Sequence, residues 1–300
     1  MGGAEHNMCL VLDELRAMGH EAIDLGMRHI GNGMVGVQLP DPAGLEADRF
    51  LVGNWAQLDP RWVLGLMKAH PGKVDVWIHD RPWCAHRTGE CNGHIQPRHA
   101  CRIALYWTMM QQARRVYFYA PDQMLSAAGY FGPSPKYTML PMFCENSADF
   151  YAHRNDERDP GSVVYLGRIS GGKGAQCLAM FAGTNKGRFT SIKAYGTLQN
   201  EGQREELEAL GVTICEPVPV EEVPAILGRS EWFFHQPPAP DACPRTVTEA
   251  RLAGCRLILG PHCGNLNHPD WQASDEELVA ITQGAPRHAA DLIVAEVDND

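Results

Sequence analysis

The chain has 300 residues, room for two domains at roughly 100–200 residues each. Its 44% hydrophobic and 21% charged residues describe a folded globular protein and exclude disorder. No uncharged apolar run approaches the roughly 20 residues that cross a bilayer, and a net charge of −10 repels nucleic acid and anionic membranes over most of the surface.

Short β-branched runs alternate with helical patterns along the chain, the signature of parallel α/β units. In the first half strands are predicted at 22–25, 50–52, 74–78, 116–119 and 138–140, with helices at 5–18, 60–70, 98–112 and 121–128. Met8, Leu12 and Leu15 share one face of the first helix, and Gly19 ends it. The start, 1–12, contains Glu5 and no basic stretch, so it does not read as a signal peptide. The polar, turn-rich stretch 153–162 is read as the domain boundary, dividing the chain into 1–153 and 154–300. Beyond it strands are predicted at 163–166, 191–194, 212–214, 232–235 and 256–259, and helices at 174–182, 202–210, 220–227 and 246–253. This five-fold alternation predicts a Rossmann-like domain, with 275–281 and 287–294 packing back as two terminal helices.

Ten cysteines do not force a disulfide framework in a chain this long. Cys9, Cys144, Cys177, Cys215 and Cys255 lie among apolar residues, where cysteine behaves as a small hydrophobe. Without a secretion signal they are read as reduced, which places the chain in the cytoplasm, or the host cytoplasm for a viral protein. Cys84, Cys91, His94, His99 and Cys101 form a denser cluster. Structural zinc wants two tight ligand pairs, and only Cys91 and His94 make one, so a polar loop rich in His and Arg is preferred and no metal is assigned.

Two segments of the second half carry chemistry. The first runs from the strand at 163–166 through Gly167, Arg168, Ile169, Ser170, Gly171, Gly172, Lys173 and Gly174 into a helix. Such a turn offers backbone N–H groups and a helix N-terminus to an anion, and Arg168 and Lys173 add full charges suited to a diphosphate. This reading is preferred to a surface turn with two solvated cations. The second segment leads from Phe234, His235 and Gln236 through Asp241 and Pro244 to a helix carrying Arg245, Thr246 and Glu249. Thr246 is expected to cap that helix and leave the next N–H groups for phosphate. Asp241 is expected to reach sugar hydroxyls, and Glu249, in the first helical turn, a ribose diol. Glu249 alone would be read as a helix-dipole residue.

With Gly2-Gly3-Ala4-Glu5 ahead of a helix, the Arg168 to Lys173 turn and the Asp241 to Glu249 loop, the chain resembles retaining nucleotide-sugar glycosyltransferases of the GT-B fold, group 1 (family 4). The resemblance runs from Gly2 to Gly264 and implies two Rossmann-like domains facing a central cleft. It implies that Arg168 and Lys173 hold the donor diphosphate and stabilise the leaving nucleotide, that Glu249 binds the ribose, and that Asp241 contacts the transferred sugar with a shorter reach than the family's Glu. It also implies donor contacts from Gly2, Gly3, Gly167, Val218, Arg245 and Thr246. No metal or other cofactor is implied; the co-substrate is a nucleotide sugar, a UDP-sugar by preference. The family has a strand before the Gly-Gly loop, whereas only Met1 precedes it here. Either the chain is truncated or something else is expected to fill that edge.

One region departs from the acidic total. Arg81, Arg87, Arg98, Arg102, Arg114 and Arg115 face Glu90 alone, a local +5 that leaves −15 to the rest of the chain. The stretch follows the strand at 74–78, where loops of a doubly wound sheet face the ligand, so it is expected on the acceptor side. His79 is a candidate catalytic residue that contacts the sugar or the acceptor hydroxyl. Arg81, Arg87, Arg98 and Arg102, with Trp83 stacking a base, would suit a polyanionic acceptor such as DNA carrying hydroxymethylated bases; a helix face of solvated arginines is the preferred reading. A small-molecule acceptor, a GT-B-fold nucleotide-sugar isomerase and a nonenzymatic nucleotide-sugar-binding protein stay open as alternatives.

Overall fold

The run Val74–Ile78 is buried at every residue, as a strand covered on both faces must be. It belongs to a computed structural model that describes residues 3–25, 39–53, 58–79, 81, 83 and 103–295. The chain forms two compact units, Met1–Pro141 with Gly284–Asp300, and Met142–Gln283. The junction at Pro141 and Met142 precedes the polar stretch 153–162, which holds a turn and the first residues of a strand.

In the first unit α1 (Gly3–Ala17), β1 (Phe50–Gly53), α2 (Pro60–Ala69), β2 (Val74–Ile78), α3 (Ile103–Gln112), β3 (Val116–Phe118), α4 (Pro121–Phe131) and β4 (Tyr137–Met139) follow one another. The four strands are parallel and hydrogen-bonded in chain order. Helix α2 begins where the Asp59 carboxylate accepts from the Arg61 N–H at 2.9 Å and Pro60 takes the first position, both start signals readable in the sequence. Val52, Leu66, Val76, Ile78, Trp83, Phe118 and Phe131 pack into one core. The strand expected at 22–25 does not form: among the described residues it has no ladder partner, and Ile23 and Leu25 are exposed. Four residues that include Asp24, with no ladder to hold them, have little to keep them extended.

The second unit contains α5 (Ser147–Ala152), β5 (Asp159–Leu166), α6 (Ala175–Thr184), β6 (Ser191–Tyr195), α7 (Glu201–Ala209), β7 (Val212–Cys215), α8 (Val223–Arg229), β8 (Ser230–His235), α9 (Arg245–Leu252) and β9 (Arg256–Leu259). All its strands are parallel, in the order β7-β6-β5-β8-β9. Chain order therefore reverses between β5 and β8, the point where open α/β sheets leave a crevice at the strand C-terminal ends. The one-turn α5 went unpredicted because six residues show too little periodicity. The two terminal helices expected at 275–281 and 287–294 are one helix, α10 (Asp275–Val294), continuing through Pro286. Burial of Leu278, Ala285, Ala289 and Ile293 along a single face offsets the hydrogen bond that proline removes.

Helix α10 ends against β2 and β3. Asp75, in the middle of β2, is fully buried and receives the Arg114 Nε–H at 2.8 Å and the Arg115 N–H at 3.1 Å. The Arg114 guanidinium also donates to the carbonyls of Ile293 (2.7 Å) and Ala295 (3.0 Å), and Arg115 donates to Leu292. These carbonyls have no partner within the helix, so two arginines cap α10 while neutralising a core carboxylate. Among the described residues no helix is long and apolar enough to cross a membrane.

Candidate functional site

The turn after β5 carries Arg168 exposed and Lys173 half exposed. It is braced from beneath by Tyr165, whose hydroxyl donates to the Arg168 carbonyl (2.8 Å) and reaches the Lys173 carbonyl (3.1 Å). Burial, with the Asp241 charge adding, pushes that hydroxyl up, so it remains a donor at any ordinary pH. Gly174 has φ +93° and caps α6 without a side-chain bond. A Cβ there would lie 2.5 Å from the Gln236 carbonyl oxygen, so the turn and the segment after β8 touch through this glycine. Gly174→Ala is expected to cost about 1–3 kcal/mol of stability and to weaken anion binding at the turn. Thermal denaturation and phosphate titration check both, and an unshifted midpoint would contradict the close approach.

The segment after β8 is equally fixed. Asp241 forms a bridge with Cys263: its N–H donates to the His262 carbonyl and its carbonyl accepts from the Gly264 N–H, both at 2.9 Å. Gly264 has no room for a side chain, since a Cβ would lie 1.7 Å from the Ala242 carbonyl oxygen. The Asp241 carboxylate meets Lys173 Nζ at 2.7 Å, and His235 Nε2 lies 3.4 Å from the same oxygen. Burial would raise this carboxyl, but His235 and the Lys173 ammonium together hold it down to about 2. Residues 68 apart in sequence thus converge at the strand-order reversal.

Helix α9 corrects two expectations, the cap at Thr246 and the place of Glu249 in the first turn. Its N-cap is Pro244 without a side-chain bond, so Thr246 lies inside the first turn and is not the cap. Proline at this position already holds the extended backbone that a cap requires. Glu249 is in the second turn, 5% exposed, and pairs with Arg245 Nε at 2.8 Å. Burial lifts the Glu249 pKa and the guanidinium pulls it part of the way back. Buried Asn265, which had no place in the sequence expectations, braces the helix start by donating to the Thr248 hydroxyl (3.0 Å). Val218 is half-buried in the loop that follows β7, and Gly167 closes β5 by donating to the Tyr195 carbonyl (3.0 Å).

In the first unit His79 follows β2 with its ring between Trp77 and Tyr119, both centroids 5.2 Å away. Among the described residues neither ring nitrogen has a hydrogen-bond partner, and burial lowers its pKa to about 3, so it is neutral at pH 7. Because folding favours the neutral ring, His79 removes stability as pH falls from 6.5 toward 3. His79→Phe is therefore expected to lose less stability than the parent on acidification from pH 7 to 4.5, measured by urea unfolding. Equal losses would contradict the buried neutral imidazole. Gly3 is the first residue of α1, and Gly2 lies outside the described residues.

The arginine-rich stretch is largely internal where it is described. Arg81 pairs with Asp122 at 3.0 Å, and Arg114 is buried on Asp75. Trp83, expected to stack a base, is 1% exposed and packs edge-on against Phe131 at 5.4 Å, so its ring is core rather than platform. An aromatic ring among apolar neighbours gains more by burial than it would beside water. Arg87, Arg98 and Arg102, and the cluster Cys84, Cys91, His94, His99 and Cys101, lie outside the described residues. Among the described residues no group of three His, Cys, Asp or Glu side chains could hold a metal ion.

No protein-family model matches the sequence, and no curated protein matches it. Solved structures do resemble it. A glycosyltransferase from Rickettsia africae aligns at TM-score 0.64 and 12% identity over 98% of this chain and 91% of its own. HepE of Anabaena, solved with UDP and glucose, aligns at TM-score 0.58 and 14% identity over 97% of this chain and 92% of its own. Sucrose-phosphate synthase of Thermosynechococcus elongatus aligns at TM-score 0.55 and 15% identity over 82% and 67%. At such identities the likeness shows the fold: the chain is an α/β protein of the GT-B type, with one parallel sheet in each of its two units.

Proposed function

We propose that this protein is a glycosyltransferase that moves a hexose from a nucleoside-diphosphate sugar to an acceptor hydroxyl, with retained configuration and without a metal. The observation that carries the reading is the meeting of Lys173 and Asp241 at 2.7 Å at the strand-order reversal of the second unit. A diphosphate at this turn would face the start of α6, Arg168 and Lys173, which offset its charge as a divalent cation otherwise would. The glycosidic C1–O bond breaks, the electron pair leaves with the nucleoside diphosphate, and the acceptor oxygen forms the new bond to C1. The acceptor oxygen bonds to C1 on the face that the phosphate leaves, so configuration is retained, and its proton passes to the departing phosphate oxygen. Glu249 would take the ribose and Asp241 the sugar, with Gly167, Val218, Arg245 and Thr246 around the nucleotide. Neutral His79 can accept or donate one hydrogen bond to the sugar or to the acceptor. The solved complexes of HepE with UDP support the donor class.

Of the arginines expected on the acceptor side, Arg81 is paired with a carboxylate, while Arg87, Arg98 and Arg102 lie outside the described residues. The acceptor proposed is a hydroxyl compound, a hydroxymethylated base in DNA or another polyanion included. Incubating the full chain with a panel of nucleotide sugars separates the alternatives. Nucleotide release that rises with added acceptor supports transfer, sugar conversion without acceptor identifies an isomerase, and binding without turnover identifies a non-catalytic module. Either of the last two results would overturn the proposal.

A further inference from the structure

His235 is 4% exposed, and neither ring nitrogen makes a hydrogen bond of good geometry among the described residues, an arrangement that buried polar groups normally avoid. It ends β8, its carbonyl accepts from the Gly260 N–H at 3.0 Å, and its ring stacks over Phe233 at 6.4 Å with an interplanar angle of 12°. Its Nε2 faces Asp241 Oδ2 at 3.4 Å, just beyond the range of a good hydrogen bond. That oxygen already receives Lys173 Nζ at 2.7 Å. One carboxylate oxygen therefore has two suitors of different character. The lysine is half exposed on a flexible stem, whereas the histidine is locked in the sheet.

We infer that His235 is a positioning residue for Asp241: when Lys173 turns to the donor diphosphate, His235 Nε2–H closes on Oδ2 and keeps the carboxylate aimed at the donor sugar. The inference rests on the glycosyltransferase reading above. The Asp241 backbone is already immobile through its bridge to Cys263, so rotation of its side chain is the freedom left to control. A histidine whose Nε2 stands 3.4 Å from the one oxygen that Lys173 would vacate is placed for that task. No bond forms or breaks in this step; one hydrogen bond replaces one ion pair.

The test is calorimetric titration of the full chain with UDP and with UDP-glucose, UDP-galactose and UDP-N-acetylglucosamine, using the nucleotide sugar that the parent protein binds best. In His235→Phe the affinity that the sugar adds over UDP is expected to fall about tenfold, the loss of one charge-assisted hydrogen bond, while UDP itself binds within about twofold of the parent. His235→Gln keeps an N–H and is expected to recover most of the loss. In an Asp241→Asn background His235→Phe is expected to add nothing further, since the histidine acts through the carboxylate. An unchanged sugar increment in His235→Phe overturns the inference, and so does an equal loss for UDP and nucleotide sugar, which marks a purely structural histidine. If His235→Phe does not fold, the ring N–H resonance of His235 in the parent decides. It moves downfield on adding the nucleotide sugar if the bond forms, and an unmoved resonance overturns the inference. A parent protein that binds no nucleoside diphosphate defeats the glycosyltransferase reading itself, and the inference with it.

Discussion

Lys173→Ala is expected to lower turnover of a nucleotide sugar by about 10²–10³-fold, the usual cost of removing one preorganised group that meets developing negative charge. The substitution removes the cation and also frees Asp241, whose carboxyl Lys173 helps to hold at about 2. A carboxylate without its ammonium partner would then face the incoming diphosphate, so binding and turnover both suffer. The fold is expected to persist, because Lys173 is half exposed and the turn is held by Tyr165 beneath it rather than by the lysine side chain. Steady-state rates with circular dichroism as a fold control measure this. Turnover within a few-fold of the parent would contradict the diphosphate role. Asp241→Asn separates the two effects: the neutral amide releases Lys173, so UDP is expected to bind at least as tightly while the sugar contact is lost.

Arg114→Ala is expected to produce the largest loss of stability, about 3–5 kcal/mol, because it leaves the fully buried Asp75 without its charge partner. For a unit of this size that corresponds to a fall in melting temperature of roughly 6–20 °C. The substitution also strips a donor from the Ile293 and Ala295 carbonyls, so the end of α10 loses one of its two capping arginines. The sign of the pH dependence follows from Asp75. Burial raises its pKa, and the hydrogen bonds and charges of Arg114 and Arg115 oppose that rise. A carboxyl raised on folding favours the folded state when protonated, so its contribution is lost as pH rises from the ordinary carboxyl range through the folded value. Removing Arg114 lifts the folded value further. The deficit of the variant is therefore expected to shrink as pH falls from 7 toward 4, and urea unfolding at several pH values measures it. A deficit that stays constant or grows on acidification would show that Asp75 is not the group left uncompensated.

The strands of the second unit were legible because β-branched and aromatic runs such as 163–166 and 232–235 are bounded by turns and buried on both faces. The anion-site turn was legible for a related reason, since glycines and cations between a strand and a helix have few structural uses. What stayed hidden depends on partners distant in the chain. Arg81, Arg114 and Trp83 read as a cationic, base-stacking surface, but Asp122, Asp75 and Phe131 claim them, and composition does not reveal pairing. The run 22–25 offers one strong strand former, Ile23, beside Ala22 and Asp24, and among the described residues no strand pairs with it. Proline at 244 set the start of α9 where a hydroxyl cap was expected at Thr246. His235 escaped notice because it ends an apolar strand, where a histidine reads as ordinary core; only the approach of Asp241, brought by the bridge to Cys263, gives it a neighbour.

The central claim is that the turn after β5 binds a nucleoside diphosphate, and direct titration tests it most simply. Calorimetry of UDP and GDP with the full chain is expected to show binding of at least one of them, weakened by tenfold or more in Arg168→Ala/Lys173→Ala as two charge-assisted contacts are lost. Absence of binding at millimolar concentration, or equal affinity in the parent and the double variant, would contradict it.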